Sequence, residues 1–346
     1  FFVSRREGRR SACGQAAGAQ MIARLLVLLL LHSSSAASLH EPQDASAPSS
    51  AAPLHEAAAE DDTELVNKLL AEGSNTDTLD ENKMTPLMLA SYLGATNAMA
   101  ALLEAGAALE AWVPGVRMTP LHWAASQGQA EAAVMLLARG GALEARDVGE
   151  RTPLHFASVR GHEEVVRLLS EAGASHEAQS KLGVTPLQMA AERGHVAAIL
   201  ALVAAGAAVD AQGDAGRLTA LHGAAAMGHV EAIEALVGAG AALEARDKKQ
   251  RTPLHLAAEH GRAAALKALL GAGATLTARD EDGRDPLTTA THAGHEAARK
   301  ALRAAHGAAR RQALFERIGV GAALRRLRRT FGGVGREMRN NAKDEA

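Results

Sequence analysis

Cysteine and aromatic residues are scarce in this sequence, and their scarcity excludes two kinds of protein. The 346 residues include one cysteine, Cys13, so neither an intrachain disulfide framework nor a site with several thiolate ligands can form. Aromatic residues make up 2% of the chain, which leaves a core of small side chains and argues against a large apolar ligand pocket. Hydrophobic residues still account for 47% and charged residues for 22%, values typical of a globular protein.

Charge is unevenly distributed along a chain whose formal net charge is −2. Residues 41–307 contain 34 acidic and 22 basic side chains, whereas residues 308–346 contain four and ten. The C-terminal residues, 307–346, are therefore predicted to form a separate basic tail.

The first 50 residues have no apolar periodicity apart from one short block. Residues 1–20 are predicted to be read-through upstream of a start at Met21. Residues 21–37 combine a charged start, seven consecutive apolar residues and a run of small residues, which is the anatomy of a secretory signal peptide cleaved near Ala37. Seven consecutive apolar residues are too few to span a bilayer, which needs roughly 20. The alternative to a signal peptide is an apolar N-terminal helix. A polar linker, 38–50, follows.

The predicted signal peptide places the protein in the secretory pathway, either in the lumen of the endoplasmic reticulum or secreted. The alternative is a cytoplasmic protein. The last four residues, Lys343 to Ala346, resemble a retrieval signal of the endoplasmic reticulum but end in alanine, so a solvated tail is the competing interpretation.

A six-residue motif recurs along the chain with a period of 33 or 34 residues. Its complete form is Thr-Pro-Leu-His-x-Ala, as at Thr152 to Ala157, and its first copy, at Ala52, lacks the threonine. Later copies begin at Thr85, Thr119, Thr152, Thr185, Thr219, Thr252 and Asp285. The chain is therefore predicted to be an array of eight repeats.

Each repeat carries the signals of two helices. The threonine can cap a first helix, proline suits its first turn, and a glycine nine residues after the threonine, such as Gly161, ends it. Aliphatic residues at helical spacing, such as those in 165–169, then predict a second helix that ends before another glycine, Gly173. A polar connector precedes the next cap.

This motif, its period, and the Gly-His and Leu-Leu-x-x-Gly-Ala segments that follow it resemble the ankyrin repeat. The resemblance covers residues 51–306 and implies an all-α solenoid of stacked helix-turn-helix units, with β-hairpin fingers formed by the connectors. The expected repeats lie near 51–80, 81–113, 114–147, 148–180, 181–213, 214–247, 248–280 and 281–306. The family's usual asparagine before each finger is replaced here by Glu110, Glu144, Asp210 or Glu244.

Fifteen histidines invite a catalytic or metal-binding hypothesis. The resemblance instead assigns the histidine of the motif, and the one that follows the first-helix glycine, to hydrogen bonds between repeats. None of the His-Glu pairs has a second histidine four residues on, and neither a phosphate-binding loop nor a hydrolase elbow occurs. We therefore expect no enzyme, no cofactor, no metal and no small-molecule substrate.

The resemblance implies a protein-protein interaction scaffold that binds its partner with the concave face and finger tips of the array. In this family's geometry, repeats 2 and 3 place apolar and aromatic residues at those positions, so we expect the partner to contact Met84, Tyr92, Leu93, Trp112, Val113, Val116 and Met118. Trp112 is the predicted anchor. The alternatives are that Trp112 packs on its own array, and that the charged fingers of repeats 4 to 8 bind instead.

The basic tail supports a second function, that of a regulatory or targeting subunit. The most concentrated charge is at Arg325, Arg326, Arg328 and Arg329. Apolar residues fall at helical spacing in the same segment, namely Leu324, Leu327, Phe331, Val334 and Met338. Such a segment could contact an anionic membrane or another macromolecule, with nucleic acid the less expected partner. It could also fold onto the acidic array, or be only a solvated face.

Overall fold

The computed structural model describes residues 53–213 and 216–317, with the side chains of 315–317 excepted. In those ranges it contains sixteen α-helices and no β-strand. In chain order the helices are α1 (Pro53–Ala59), α2 (Thr63–Ala71), α3 (Pro86–Leu93), α4 (Thr96–Glu104), α5 (Pro120–Gln127), α6 (Ala130–Ala138), α7 (Pro153–Arg160), α8 (Glu163–Glu171), α9 (Pro186–Arg193), α10 (Val196–Ala204), α11 (Ala220–Met227), α12 (Val230–Gly238), α13 (Pro253–Glu259), α14 (Ala263–Gly271), α15 (Pro286–His292) and α16 (Glu296–Arg317).

Local sequence signals set the ends of the first helix in each repeat. At α3, the Thr85 side chain accepts a hydrogen bond from the main-chain N–H of Met88 at 3.2 Å, and Pro86 occupies the first turn. The helix ends at Gly94, whose φ of 75° is the left-handed conformation that glycine adopts without strain. Threonine, proline and glycine thus delimit α3 as the sequence predicted.

The chain divides into two compact units, an N-terminal unit up to Gly216 and a C-terminal unit from Arg217. In the N-terminal unit the first helices α1, α3, α5, α7 and α9 stack side by side. The second helices α2, α4, α6, α8 and α10 stack in a second layer. The alanine that ends each motif, such as Ala124 or Ala157, is completely buried between neighbouring first helices. Its small side chain permits the close approach of neighbouring first helices.

The second helices bury one aliphatic face. In α8, the side chains of Val165, Val166 and Leu169 are completely buried, while Leu168 is only partly covered. The sequence pattern grouped all four as aliphatic residues at helical spacing. In the structure Val165, Val166 and Leu169 fill the core, and Leu168 lies at its edge.

The predicted β-hairpin fingers are not confirmed, because the connectors form tight turns without strands in the described residues. In the finger before Thr152, the N–H of Asp147 donates to the carbonyl of Arg151 at 3.1 Å, and Glu150 adopts a φ of 57°. Adjacent tips are joined by single hydrogen bonds, such as Lys181 N–H to Gly149 carbonyl at 2.7 Å. A strand needs successive ladder bonds, and one bond per finger does not supply them.

The C-terminal unit repeats the same plan with α11 to α16. Asp285 replaces the capping threonine at α15, where its carboxylate accepts the N–H of Thr288 at 2.8 Å. The last helix, α16, starts as a second helix of the array, with Ala298 and Leu302 buried. It then continues past the predicted array end at 306, and its side chains from 308 to 314 are exposed.

Several predictions fall outside the described residues. These include the signal peptide at 21–37 and the basic-tail residues Arg325, Arg326, Arg328 and Arg329. Among the helices that the structure does describe, none is both long and apolar enough to cross a bilayer.

Candidate functional site

The five motif histidines link their first helices to the next repeat. The main-chain N–H of Thr119 donates to Nδ1 of His122 at 3.2 Å, and the Thr119 hydroxyl lies 2.9 Å from the same nitrogen. Because a main-chain N–H can only donate, Nδ1 must accept, and the ring proton therefore sits on Nε2. Nε2 donates it to the carbonyl of Arg151, 29 residues on, at 3.1 Å. The same set of bonds recurs at His155, His222 and His255.

Burial keeps these histidines neutral. Desolvation lowers the pKa of His122 and of His155 to about 4, although hydrogen bonds to main-chain carbonyls and the Asp147 carboxylate act in the opposite direction. The pKa values of His222 and His255 are lowered for the same reason. With both ring nitrogens engaged by the chain, these side chains have no atom left for a metal or a substrate.

Glutamine takes the place of the motif histidine in the fifth repeat and makes the same kinds of bond. Gln188 accepts the main-chain N–H of Thr185 through Oε1 at 2.9 Å and donates from Nε2 to the carbonyl of Ala211 at 2.9 Å. Glutamine has no titratable proton, so the position requires one acceptor and one donor rather than an acid or a base. This supports a structural role for the motif histidines.

The second set of histidines also spans repeats. His162 and His195 bond through Nε2 to the carbonyls of Ser126 and Val159, each at 3.1 Å. The His162 ring covers Gly128, where an added Cβ would lie 2.5 Å from Nδ1. Glycine is thus required there twice, for its φ of 73° and for the ring above it. In the described part of the chain, no group of histidine, cysteine and carboxylate side chains is arranged to hold a metal ion.

Carboxylates form a third link between repeats, which the sequence reasoning noted only as a departure from the family. Glu144 accepts the main-chain N–H of Ser175, 31 residues on, at 2.7 Å. The equivalent bonds run from Asp77 to Ala108, Glu110 to Ala142, Glu177 to Ala208 and Glu244 to Thr275. Their recurrence at the repeat period was the signal that could have identified this role.

Four of the seven predicted contact residues are buried, which corrects the expectation that they face a partner. Met84, Tyr92, Val113 and Met118 are only 2 to 7% exposed. Contacts between repeats accompany this burial: the Met84 carbonyl accepts a bond from His55 of the preceding repeat, and the Tyr92 ring packs edge-on against Trp123 of the next repeat, with the ring centroids 5.8 Å apart. These side chains fill the array instead of extending from it.

Trp112 is exposed, as the prediction required, with 51% of its surface accessible. Leu93 and Val116 are half-buried. Three exposed apolar side chains that the sequence reasoning did not select lie in the fingers of the same unit, namely Leu79, Val148 and Leu182. Each is an apolar residue inside a polar connector, and that pattern in the sequence could have identified them. The apolar surface of the N-terminal unit therefore extends along the fingers of several repeats.

Comparison with known proteins supports the repeat assignment. A family model of ankyrin repeats in three copies matches five overlapping segments, residues 16–113, 54–147, 113–180, 173–247 and 221–311. Together the segments cover most of the chain. A search of curated proteins finds no match.

Acid should destabilise the array through the motif histidines. Below pH 6.5 the unfolded chain binds protons that buried His122 and His155 do not, so stability falls until the pH reaches their folded pKa of about 4. We expect a loss of up to about 2 kcal/mol for each between pH 6.5 and pH 5. Urea unfolding followed by circular dichroism at these two pH values measures it.

The matched control is the double variant His122→Gln, His155→Gln. Gln188 shows that glutamine at this position accepts the N–H of the capping residue and donates to a main-chain carbonyl without titrating, so the variant should fold and lose part of the pH dependence. An unchanged slope in the double variant would contradict this account of the histidines.

Proposed function

The chain belongs to the ankyrin-repeat family, whose members are generally protein-interaction modules, and from that membership we propose that it is a non-catalytic scaffold. A protein partner binds the concave face and fingers of the N-terminal unit, with Trp112 as the anchor. The histidines support the non-catalytic part of the proposal, because their ring nitrogens are used in bonds between repeats.

The observation that carries the proposal is the exposure of Trp112. It belongs to a chain with only two tryptophans, and the other, Trp123, is 2% exposed in the core. Leu79 is exposed to the same degree one finger earlier. Exposed apolar clusters on a polar rim mark interaction surfaces, and tryptophan is among the residues most enriched in binding hot spots.

Trp112→Ala should weaken partner binding without changing the fold. Partners are first recovered with the full chain by affinity capture and then titrated by calorimetry. We expect a loss of about 2 kcal/mol or more, roughly 30-fold in affinity, because truncation removes the anchor. Leu79→Ala should cost less.

Leu200→Ala is the matched control, since Leu200 is an equally exposed apolar residue that lies on helix α10, away from the fingers. It should bind as the unaltered chain does. Tyr92 is not a suitable site of substitution, because its removal would disturb the core around Trp123. Full affinity in Trp112→Ala would place the partner elsewhere on the array.

The alternative function, targeting through the basic tail, is favoured by one feature of the C-terminal unit. The exposed end of α16 carries Arg310 and Arg311 on a helix that extends beyond its packed part. Sedimentation with vesicles tests it. Vesicles containing phosphatidylserine should retain the full chain at low salt, and a variant with glutamine at Arg325, Arg326, Arg328 and Arg329 should bind at least tenfold more weakly. Equal binding of both chains, or equal binding to neutral vesicles, would count against this function.

We place the protein in the secretory pathway, and the support is the pattern of residues 21–37. Expression from Met21 in animal cells should yield a chain whose N-terminus begins near residue 38, as measured by mass spectrometry. Replacing Leu28 by Arg interrupts the apolar block and should leave the N-terminus uncleaved. A chain that starts at residue 21 or 22 and stays in the cytosol would overturn this placement.

A further inference from the structure

Trp112 stands where three other fingers carry an arginine. In each of six described fingers, a main-chain N–H donates to the carbonyl of the residue before the motif's first position. These bonds run from Asp80 to Met84, Val113 to Met118, Asp147 to Arg151, Ser180 to Val184, Asp247 to Arg251 and Asp280 to Arg284. The residues before the six donors are Leu79, Trp112, Arg146, Gln179, Arg246 and Arg279, in that order. The register is therefore the same despite the extra residue in the Trp112 finger.

Two of these arginines, Arg146 and Arg246, show what this position binds. Nη1 of Arg146 donates to the carbonyl of Glu150 in its own finger at 3.0 Å and to the carbonyl of Gln179 in the next finger at 2.8 Å. Arg246 makes the equivalent pair of bonds, to Gln250 at 2.9 Å and to Arg279 at 2.8 Å. Two main-chain carbonyls on adjacent fingers thus form a receptor for one guanidinium group.

The carbonyls at the equivalent positions of the Trp112 finger and of the finger after it have no arginine among the described residues bonded to them. They belong to Arg117, which like Glu150 has a φ of 57°, and to Arg146, the residue one finger on. The indole has only one donor and cannot replace the fork of a guanidinium. In the described part of the chain, no donor bonds to the carbonyl of Arg117 or to that of Arg146.

The charge around this finger favours a cation. Residues 53–113, which lead up to it, contain eleven acidic side chains and two lysines. Over residues 53–213 as a whole the acidic side chains number 21 and the basic ones 10. The side chains of Arg117 and Arg146 add positive charge close to this finger, and the acidic excess of the unit outweighs them. A basic segment of a partner is therefore attracted to this end of the array.

We infer that Trp112, with the carbonyl oxygens of Arg117 and Arg146, binds an arginine side chain of the partner. The partner's guanidinium lies over the exposed indole and donates to the two carbonyls, so that it supplies in trans the bonds that Arg146 and Arg246 make within the chain. A cation over tryptophan is favourable, and the planar guanidinium suits stacking and paired bonds better than an ammonium does. This inference rests on the proposed function, because it specifies the chemistry of the partner at the same site.

A short peptide tests the inference on the full chain. The probe is acetyl-Ala-Arg-Ala-amide, and its matched control carries citrulline, which has nearly the same shape but no charge. In a chain labelled with ¹⁵N-tryptophan, the arginine peptide should shift the indole N–H signal of Trp112 and leave that of buried Trp123 unmoved. We expect a dissociation constant in the millimolar range that rises with salt concentration. A third peptide, with lysine in place of arginine, should bind several-fold more weakly.

The variant Trp112→Arg tests the two carbonyls most directly. Its own guanidinium should occupy the two carbonyls as Arg146 does in the next finger, so it should raise the thermal midpoint and abolish peptide binding. Saturation-transfer spectra, which observe the peptide, measure binding in this variant and in Trp112→Leu. Equal shifts with arginine and citrulline, or unchanged binding by Trp112→Arg, would overturn the inference.

The outcomes separate this inference from the proposed function. If captured partners require Trp112 but the arginine peptide does not bind, the arginine receptor is wrong and the scaffold function stands. If the arginine peptide binds at Trp112 but captured partners do not require that residue, the receptor stands and the proposed anchor is wrong.

Discussion

Bonding from one repeat to the next is the constraint on which this structure depends. A two-helix repeat has too little apolar surface to be stable alone, so each must be held in register against its neighbour. The motif histidine does this at both ends of its ring: Nδ1 fixes the cap of its own helix, and Nε2 reaches the carbonyl 29 residues on. Capping and stacking therefore depend on the same side chain.

Within a repeat, most of the residues that hold the stack are distinct from those at the finger tips. Caps, glycines, buried alanines and the carboxylates of the loops hold the stack, and all of them lie in or beside the helices. Between neighbouring finger tips the main chain contributes a single bond, and the side chains of Arg146 and Arg246 add another in two of the fingers. Side chains at the other tip positions can therefore differ between repeats, and Trp112, Val148 and Leu182 occur there.

Much of the fold could be predicted from the sequence, because its signals act locally. The threonine, proline and glycine of the motif act within one helix, and the resemblance to ankyrin repeats is confirmed by the family match. Burial at the candidate site could not be predicted as well. Tyr92 is buried because Trp123 of the next repeat lies against it, and the bond of Glu144 depends on a loop 31 residues away. Such distances between repeats are not contained in the motif of any single one.

The finger before Thr119 shows how the array tolerates a change in chain length. It contains one residue more than the finger before Thr152, yet Val113 still closes on Met118, and Val148 still bonds to the carbonyl of Val116. The extra length is absorbed at the exposed Pro114-Gly115 turn, where Gly115 has a φ of 91° and nothing within 4 Å of an added Cβ. During evolution, loops of new length and sequence can therefore be tried at this tip while the hydrophobic core keeps its spacing, and a grafted epitope would be displayed there on a rigid support.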